Sequence, residues 1–215
     1  MECKVHLQKT SGLKKHVAGL TALPDLLCIQ ETHLMPKYHP VFQNCTMLRK
    51  GGGLLICIKT SLGFSEVKLA GPSTRMEVLG VTVGGYAIFN VYNLPSHHMQ
   101  TNSLDFLSRF RKVVLFGDFN ARHGMWSSFS ANRNGRALLS VIETHDLVVL
   151  NTSVPTHYSL SGQYEWSVLD LSIVSADIAS RCDATVVNGF IGSDHSIVQI
   201  AIRGADPPIK THIPR

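Results

Sequence analysis

The chain has no cysteine pair at C-x-x-C spacing; its five cysteines, Cys3, Cys28, Cys45, Cys57 and Cys182, are odd in number and scattered. That pattern excludes a disulfide framework and a zinc knuckle, and places Cys28 and Cys57, which lie in apolar runs, in the core. No apolar run approaches the ~18 residues needed to span a bilayer. The first residues, MECKVHLQKTSGLKK, are polar and basic and contain no apolar signal segment. A soluble, intracellular, non-secreted protein without a membrane partner is expected, nuclear when acting on DNA and otherwise cytoplasmic. Charge is sparse too, at 16% of residues, yet it sums to +5 with eleven histidines uncounted. A basic surplus favours polyanions, but composition alone does not separate such a surface from an ordinary basic one.

A single domain of 215 residues buries roughly 70% of its unfolded surface, enough for a layered core. Short apolar runs bounded by Gly, Pro, Asn or Ser predict strands at 26–29, 54–58, 78–83, 87–92, 113–116, 148–150, 169–174, 184–187 and 197–202. Gly84-Gly85 suits a tight hairpin and Gly51-Gly52-Gly53 opens a strand, so the sheets should be largely antiparallel. Spacings of three and four predict helices over 136–147 and around Leu13, Val17 and Leu20, with further helices at 103–110 and 176–181. These elements favour an α/β (α+β) architecture of packed sheets flanked by helices over residues 1–203. The proline-bearing stretch 204–215 reads as a tail or linker.

Polar groups collect where the apolar runs end: Gln30-Glu31-Thr32, Tyr92-Asn93, Gly117-Asp118-Phe119-Asn120 and Ser193-Asp194-His195. A carboxylate after a buried run costs several kcal/mol in desolvation unless a cation or hydrogen bonds compensate it. Each taken singly is an ordinary turn residue, because Asp and Asn commonly end strands. In combination they either are solvated turns or converge on a metal.

The ordered set Q-E-T, N-V-Y, G-D-F-N, Ser167 to Asp170 and S-D-H, spread from about Leu7 to Ile202, resembles the endonuclease/exonuclease/phosphatase family. The run Asp118 to His123, then Trp126-Ser127-Ser128, Asn134-Gly135-Arg136, Leu150-Asn151, Pro155-Thr156-His157 and Asp170-Leu171-Ser172, narrows the likeness to endonuclease domains of arthropod-type non-LTR retrotransposons. The resemblance implies a DNase-I-like four-layer sandwich of two mostly antiparallel sheets, Mg²⁺-dependent nicking of DNA (Mn²⁺ as a substitute), and a reverse transcriptase domain in a longer parent polyprotein. It implies that Glu31 and Asp194 hold the metal and that Asp118 activates water oriented by Asn120. Asp170 would orient His195, whose imidazole donates to the phosphate that Tyr92 also contacts. Ser167, Thr156 and Arg122 would touch DNA, with His97, His98, His123, Arg133 and Arg136 as further basic candidates. Trp126 reads as packing rather than base stacking.

One departure stands out. Relatives end the first strand in Trp-Asn, whereas an ungapped count back from Gly12-Leu13 puts Gln8 and Lys9 there. A lysine ammonium adds charge beside a cation and accepts no hydrogen bond. Either the true first strand is lost from a decayed copy, leaving an incomplete edge, or the pairing shifts so that Gln8 supplies the amide. Tyr92-Asn93-Leu94-Pro95 also departs from the relatives' loop. The alternatives to a nicking enzyme are an inactive remnant that at most binds DNA, and a phosphatase or abasic-site nuclease of the same fold.

Overall fold

A computed structural model describes residues 5–9, 24–32, 44–50, 53–69, 76–126, 130–151, 153–158, 166–187 and 193–204. The predicted helix around Leu13 and the stretches 127–129 and 205–215 lie outside these residues, as does the Lys9 side chain.

The first sheet contains β1 (Val5–Lys9), β2 (Leu26–Gln30), β3 (Cys45–Lys50), β4 (Leu54–Lys59), β13 (Cys182–Val187) and β14 (Ile197–Ile202), in the order β13-β14-β1-β2-β4-β3. The second contains β5 (Phe64–Val67), β6 (Glu77–Val83), β7 (Tyr86–Tyr92), β8 (Val113–Asp118), β9 (Leu147–Val149) and β12 (Asp170–Ser175), in the order β5-β6-β7-β8-β12-β9. Pairing is antiparallel except for β1 with β2 and β7 with β8. A short ribbon joins β10 (His157–Tyr158) to β11 (Trp166–Ser167).

Continuous apolar runs form these strands because both of their faces are covered. Leu26, Cys28, Leu54 and Ile56 of the first sheet meet Leu79, Val81, Ile88, Val114 and Phe116 of the second in a central core. The alternate residues of the second sheet, among them Phe89, Val91, Leu115 and Ile173, pack on Leu104 and Leu107 of a 3-10 helix (Thr101–Arg109) and on Leu138 and Val141 of α1 (Arg133–Thr144). On the outer face of the first sheet, Leu27, Ile29, Leu55 and Cys57 form a third apolar cluster. Of the two cysteines expected in the core, Cys28 is buried between the sheets and Cys57 in this outer cluster.

Several expectations shift. The first strand is not an edge: β1 lies inside its sheet, antiparallel to β14 and parallel to β2. Helix α1 starts and stops three residues early relative to 136–147, because Asn132 caps it by accepting from the Gly135 amide at 2.7 Å and Asp146 turns left-handed at φ 50°. Leu147, expected on the helix, instead opens β9. The helix at 176–181 is a single turn, α2 (Ala176–Ala179), and strands β3, β5, β10 and β11 had no clear apolar signal.

Candidate active site at one rim of the sandwich

The register of the second sheet builds a row of polar residues along one rim. The Gly84-Gly85 turn sets Glu77 opposite Tyr92, parallel pairing sets Tyr92 beside Asp118, and antiparallel pairing sets Asp118 opposite Asp170. Side chains alternate along a strand, so Asp118 shares the inward face with Val114 and Phe116, and the whole row faces the first sheet. Directly beneath it a polar bridge ties the sheets together. Gln30 donates to the Asn90 side-chain oxygen, while the Asn90 amide donates to the carbonyls of Ile29 and Leu55, each at 3.1 Å. Both side chains are fully buried.

Asp118 ends β8 with no exposed surface. Its carboxylate accepts from the Asn120 backbone amide at 2.8 Å and from the Asn120 side chain at 3.0 Å. Asn120 adopts a left-handed backbone (φ 46°) that an L residue enters only at a cost, and its surroundings hold it there. Its side chain also donates to the Asn93 carbonyl at 2.8 Å, Asn93 donates to the Phe119 carbonyl at 3.0 Å, and Asn132 donates to the Asn120 carbonyl at 2.9 Å. The glycine of G-D-F-N is needed for space: at Gly117 (φ 151°) a Cβ would stand 1.7 Å from the Val91 carbonyl oxygen.

The expected pairing of Asp170 with His195 is present, with His195 Nδ1 2.6 Å from Asp170 Oδ2 and both side chains buried. Asp170 is itself fixed. Its amide and that of Leu169 donate to Thr156 Oγ1 at 3.0 and 3.1 Å, and its carbonyl accepts from Asn151 at 2.8 Å. Thr156 is therefore turned inward with no exposed surface, and Ser167, also buried, lies 3.3 Å from His157 Nδ1. Arg122 is half-buried in the loop after G-D-F-N. Trp126 is core, donating its indole N–H to the Ala121 carbonyl at 3.0 Å.

At the other end of the row, Glu31 follows β2 in a left-handed conformation (φ 49°) and accepts a hydrogen bond from the Tyr92 hydroxyl, which joins the two sheets. Burial, then the hydrogen bond and charge of Glu31, then the charges of Asp118 and Glu77 push the Tyr92 phenol far above its ordinary range. Glu77 is thus a carboxylate of this corner, and sequence reasoning missed it. A Cβ on Gly53 would sit 3.0 Å from Glu77 Oε2 and 3.7 Å from the Glu31 amide, so a side chain at this position would crowd the Glu77 carboxylate. The signal was available: a two-residue turn pairs residues symmetrically about it, and Glu77 and Tyr92 stand equally far from Gly84-Gly85.

His157 was also missed as a site residue. It bridges to His195 in the backbone, their rings lie 4.6 Å apart, and its Nε2 is 3.6 Å from the Asp194 carboxylate. Beside it the half-buried Tyr158 meets the exposed Trp166 edge-on at 4.6 Å. The basic candidates Arg133, Arg136 and His98 are exposed and His97 and His123 half-buried. Among the described residues no helix is long and apolar enough to cross a membrane.

A family model described as "Endonuclease-reverse transcriptase" matches residues 86–199. The chain is 27% identical over 197 residues to the RNA-directed DNA polymerase from mobile element jockey of Drosophila melanogaster, covering 85% of this chain and 21% of that protein. It is 26% identical over 149 residues to the probable RNA-directed DNA polymerase from transposon X-element of the same organism, covering 67% of this chain and 16% of that protein. The chain thus spans about a fifth of the length of the curated relatives it matches. Among solved structures, the endonuclease domain of TRAS1, a telomere-specific non-LTR retrotransposon, superposes with a TM-score of 0.74 at 19% identity, covering 93% of this chain and 98% of that one. The AP endonuclease LMAP from Leishmania major gives 0.68 at 17% identity over 94% and 88%. These similarities show a DNase-I-like endonuclease fold.

Proposed function

The chain belongs to the endonuclease-reverse transcriptase family, and from that membership we propose that it is a divalent-metal-dependent endonuclease that nicks DNA, the endonuclease part of a non-LTR retrotransposon protein that also carries a reverse transcriptase. The observation that carries the reading is the buried Asp170–His195 pair set in register beside Asp118. One carboxylate orients an imidazole and a neighbouring one stands ready to take a proton, which is the equipment for water attack on a phosphodiester.

In this reading Asp118 takes the proton of the attacking water, and Asn120, bonded to both of its oxygens, holds the carboxylate in place. Asp170 fixes the His195 ring through Nδ1, leaving Nε2 to donate to the scissile phosphate. Tyr92 keeps its proton at any working pH and donates to Glu31 or to a phosphate oxygen. Glu31 and Glu77, both beside Gly53, with Asp194 as a further oxygen donor, would hold a cation of the Mg²⁺ or Mn²⁺ class, which prefers carboxylate oxygens. Bound there, the cation would neutralise charge building on the phosphate oxygens. Arg122 and the exposed Trp166 offer a charged and an aromatic contact to DNA. Thr156 and Ser167, being buried, serve the same surface by holding Asp170 and His157.

A second reading, an inactive remnant that binds DNA, is favoured by Lys9, which lies at the end of β1 opposite Gln30, one residue before Glu31. Supercoiled plasmid treated with purified protein separates the readings. Nicking that requires Mg²⁺ or Mn²⁺, stops with EDTA and is lost in Asp118→Ala supports the endonuclease. Binding without nicking, with cutting restored by Lys9→Asn, supports the remnant. Cleavage confined to abasic DNA, or phosphate release from inositol phosphates without nicking, would move the chain to another activity of this fold.

A further inference from the structure

Among the described residues, His157, Asp194 and His195 place one ligand atom each within 4.8 Å of one another. We propose that these three side chains form a second cation site, sharing Asp194 with the one proposed at Glu31 and selective for a transition-type divalent ion of the Zn²⁺ class, whose occupation withdraws His195 from the phosphate.

The ring-nitrogen partners fix which atoms face the site. His195 Nδ1 is taken by Asp170 at 2.6 Å and His157 Nδ1 lies 3.3 Å from Ser167 Oγ, so both rings present Nε2. A histidine whose far nitrogen meets a carboxylate or hydroxyl is oriented as metal-binding histidines usually are. The backbone is locked as well: Tyr158 donates to the Asp194 carbonyl at 2.9 Å, and Ser196 donates to the Thr156 carbonyl at 2.7 Å. Two imidazoles and one carboxylate suit Zn²⁺ and its neighbours, whereas Mg²⁺ prefers oxygen alone. Access is present on one side, since the Asp194 side chain is 55% exposed while those of His157 and His195 are 19% and 1% exposed. Zn²⁺-class binding stands apart from the nuclease reading; its consequence, inhibition of Mg²⁺-supported nicking by capture of His195 and Asp194, rests on that reading.

The test uses the purified full chain in excess Mg²⁺, first without DNA. Titration with Co²⁺ should give a visible ligand-field band that a single equivalent of Zn²⁺ displaces. His157→Gln and Asp194→Asn should each weaken Zn²⁺ binding by about tenfold or more, while His145→Gln, on a distant helix end, leaves it unchanged. Asp194 is exposed, so its amide variant tests the site even if His157→Gln fails to fold. In the nicking assay, a given Zn²⁺ concentration should remove a smaller fraction of each chain's own activity from His157→Gln than from wild type. Unchanged Zn²⁺ affinity in both site variants, or equal loss in His145→Gln, overturns the site. Equal Zn²⁺ sensitivity of nicking in wild type and His157→Gln overturns the inhibition. A chain that binds Zn²⁺ through these residues but never nicks DNA retains the site and loses the nuclease reading.

Discussion

The two ends of the rim are built oppositely. Toward the His195 end the reacting groups Asp170, His195 and Asp118 are buried, and the two carboxylates are held by several donors and partners: Asp170 by Thr156, Asn151 and His195, and Asp118 by both donors of Asn120. At the Glu31 end the acid is half-buried, sits on a left-handed residue, and has its backbone beside Gly53, where a Cβ would press on Glu77. A group that passes a proton must hold one orientation in a dry setting, because misplacement by ~1 Å costs about 10²-fold in rate. A group that holds an exchangeable cation needs room for water and phosphate oxygens as further ligands. The closed end is therefore read as the proton-handling half and the open end as the cation-handling half.

Breaking the closed end should give the largest effect. Asp170→Asn preserves shape but presents His195 with the wrong partner, so plasmid nicking should fall by about 10²–10⁴-fold. That loss should be the same at low and high Mg²⁺; recovery on adding Mg²⁺ would show that the division between the ends is wrong. Glu31→Gln should behave in the contrary way. Its Mg²⁺ dependence should move upward by roughly tenfold, and saturating Mg²⁺ should restore much of the rate. Glu77→Gln should shift the same curve in the same direction by a smaller factor; a Mg²⁺ curve identical to wild type would remove Glu77 from the corner.

How much of this was legible in the sequence differs between the ends for a physical reason. Asp118, Asn120 and His195 lie in short motifs whose residues act on one another locally, as the Asn120 amide does on Asp118 two positions away, so a linear pattern carries them. The apolar runs likewise marked most strands, because strands covered on both faces are apolar throughout. Glu77 belongs to no short motif: it joins the site through cross-strand register with Tyr92, which requires pairing two strands through their turn. Asn90 and Gln30 read as polar residues within apolar strands, and their bridge exists only once the two sheets face each other. Thr156, expected at the DNA, instead satisfies backbone amides of a segment thirteen and fourteen residues away. Helix α1 was misplaced because leucine spacing marks a face and not an end; the ends depend on the Asn132 cap and the left-handed Asp146.

The Asn90 bridge lies under the open end and offers a way to couple it to stability. Asn90→Leu removes the acceptor for Gln30 and the donor for the carbonyls of Ile29 and Leu55, leaving buried polar groups unpaired. A loss of about 1–3 kcal/mol is expected from urea midpoints. If the bridge also sets the spacing of Glu31 and Tyr92, the Mg²⁺ curve should shift in this variant while the Asp170–His195 half is unaffected. A stability loss with an unchanged Mg²⁺ curve would confine Asn90 to the core.

The smallest effect is expected from Tyr92, which belongs to both ends through its contact with Glu31 and its register with Asp118. Its folded-state acidity is raised first by burial and then by Glu31, so the neutral phenol is favoured by folding. That contribution is fully present below the ordinary tyrosine value of about 10 and is lost as pH rises above it. Wild-type stability should therefore decline more steeply than that of Tyr92→Phe beyond pH ~10, by no more than about 1.4 kcal/mol per pH unit. Between pH ~7 and ~9 the two chains should show parallel stability profiles. A difference in slope within that neutral range would mean that the phenol ionises there, and Tyr92 could not then serve as a hydrogen-bond donor to Glu31 or to phosphate.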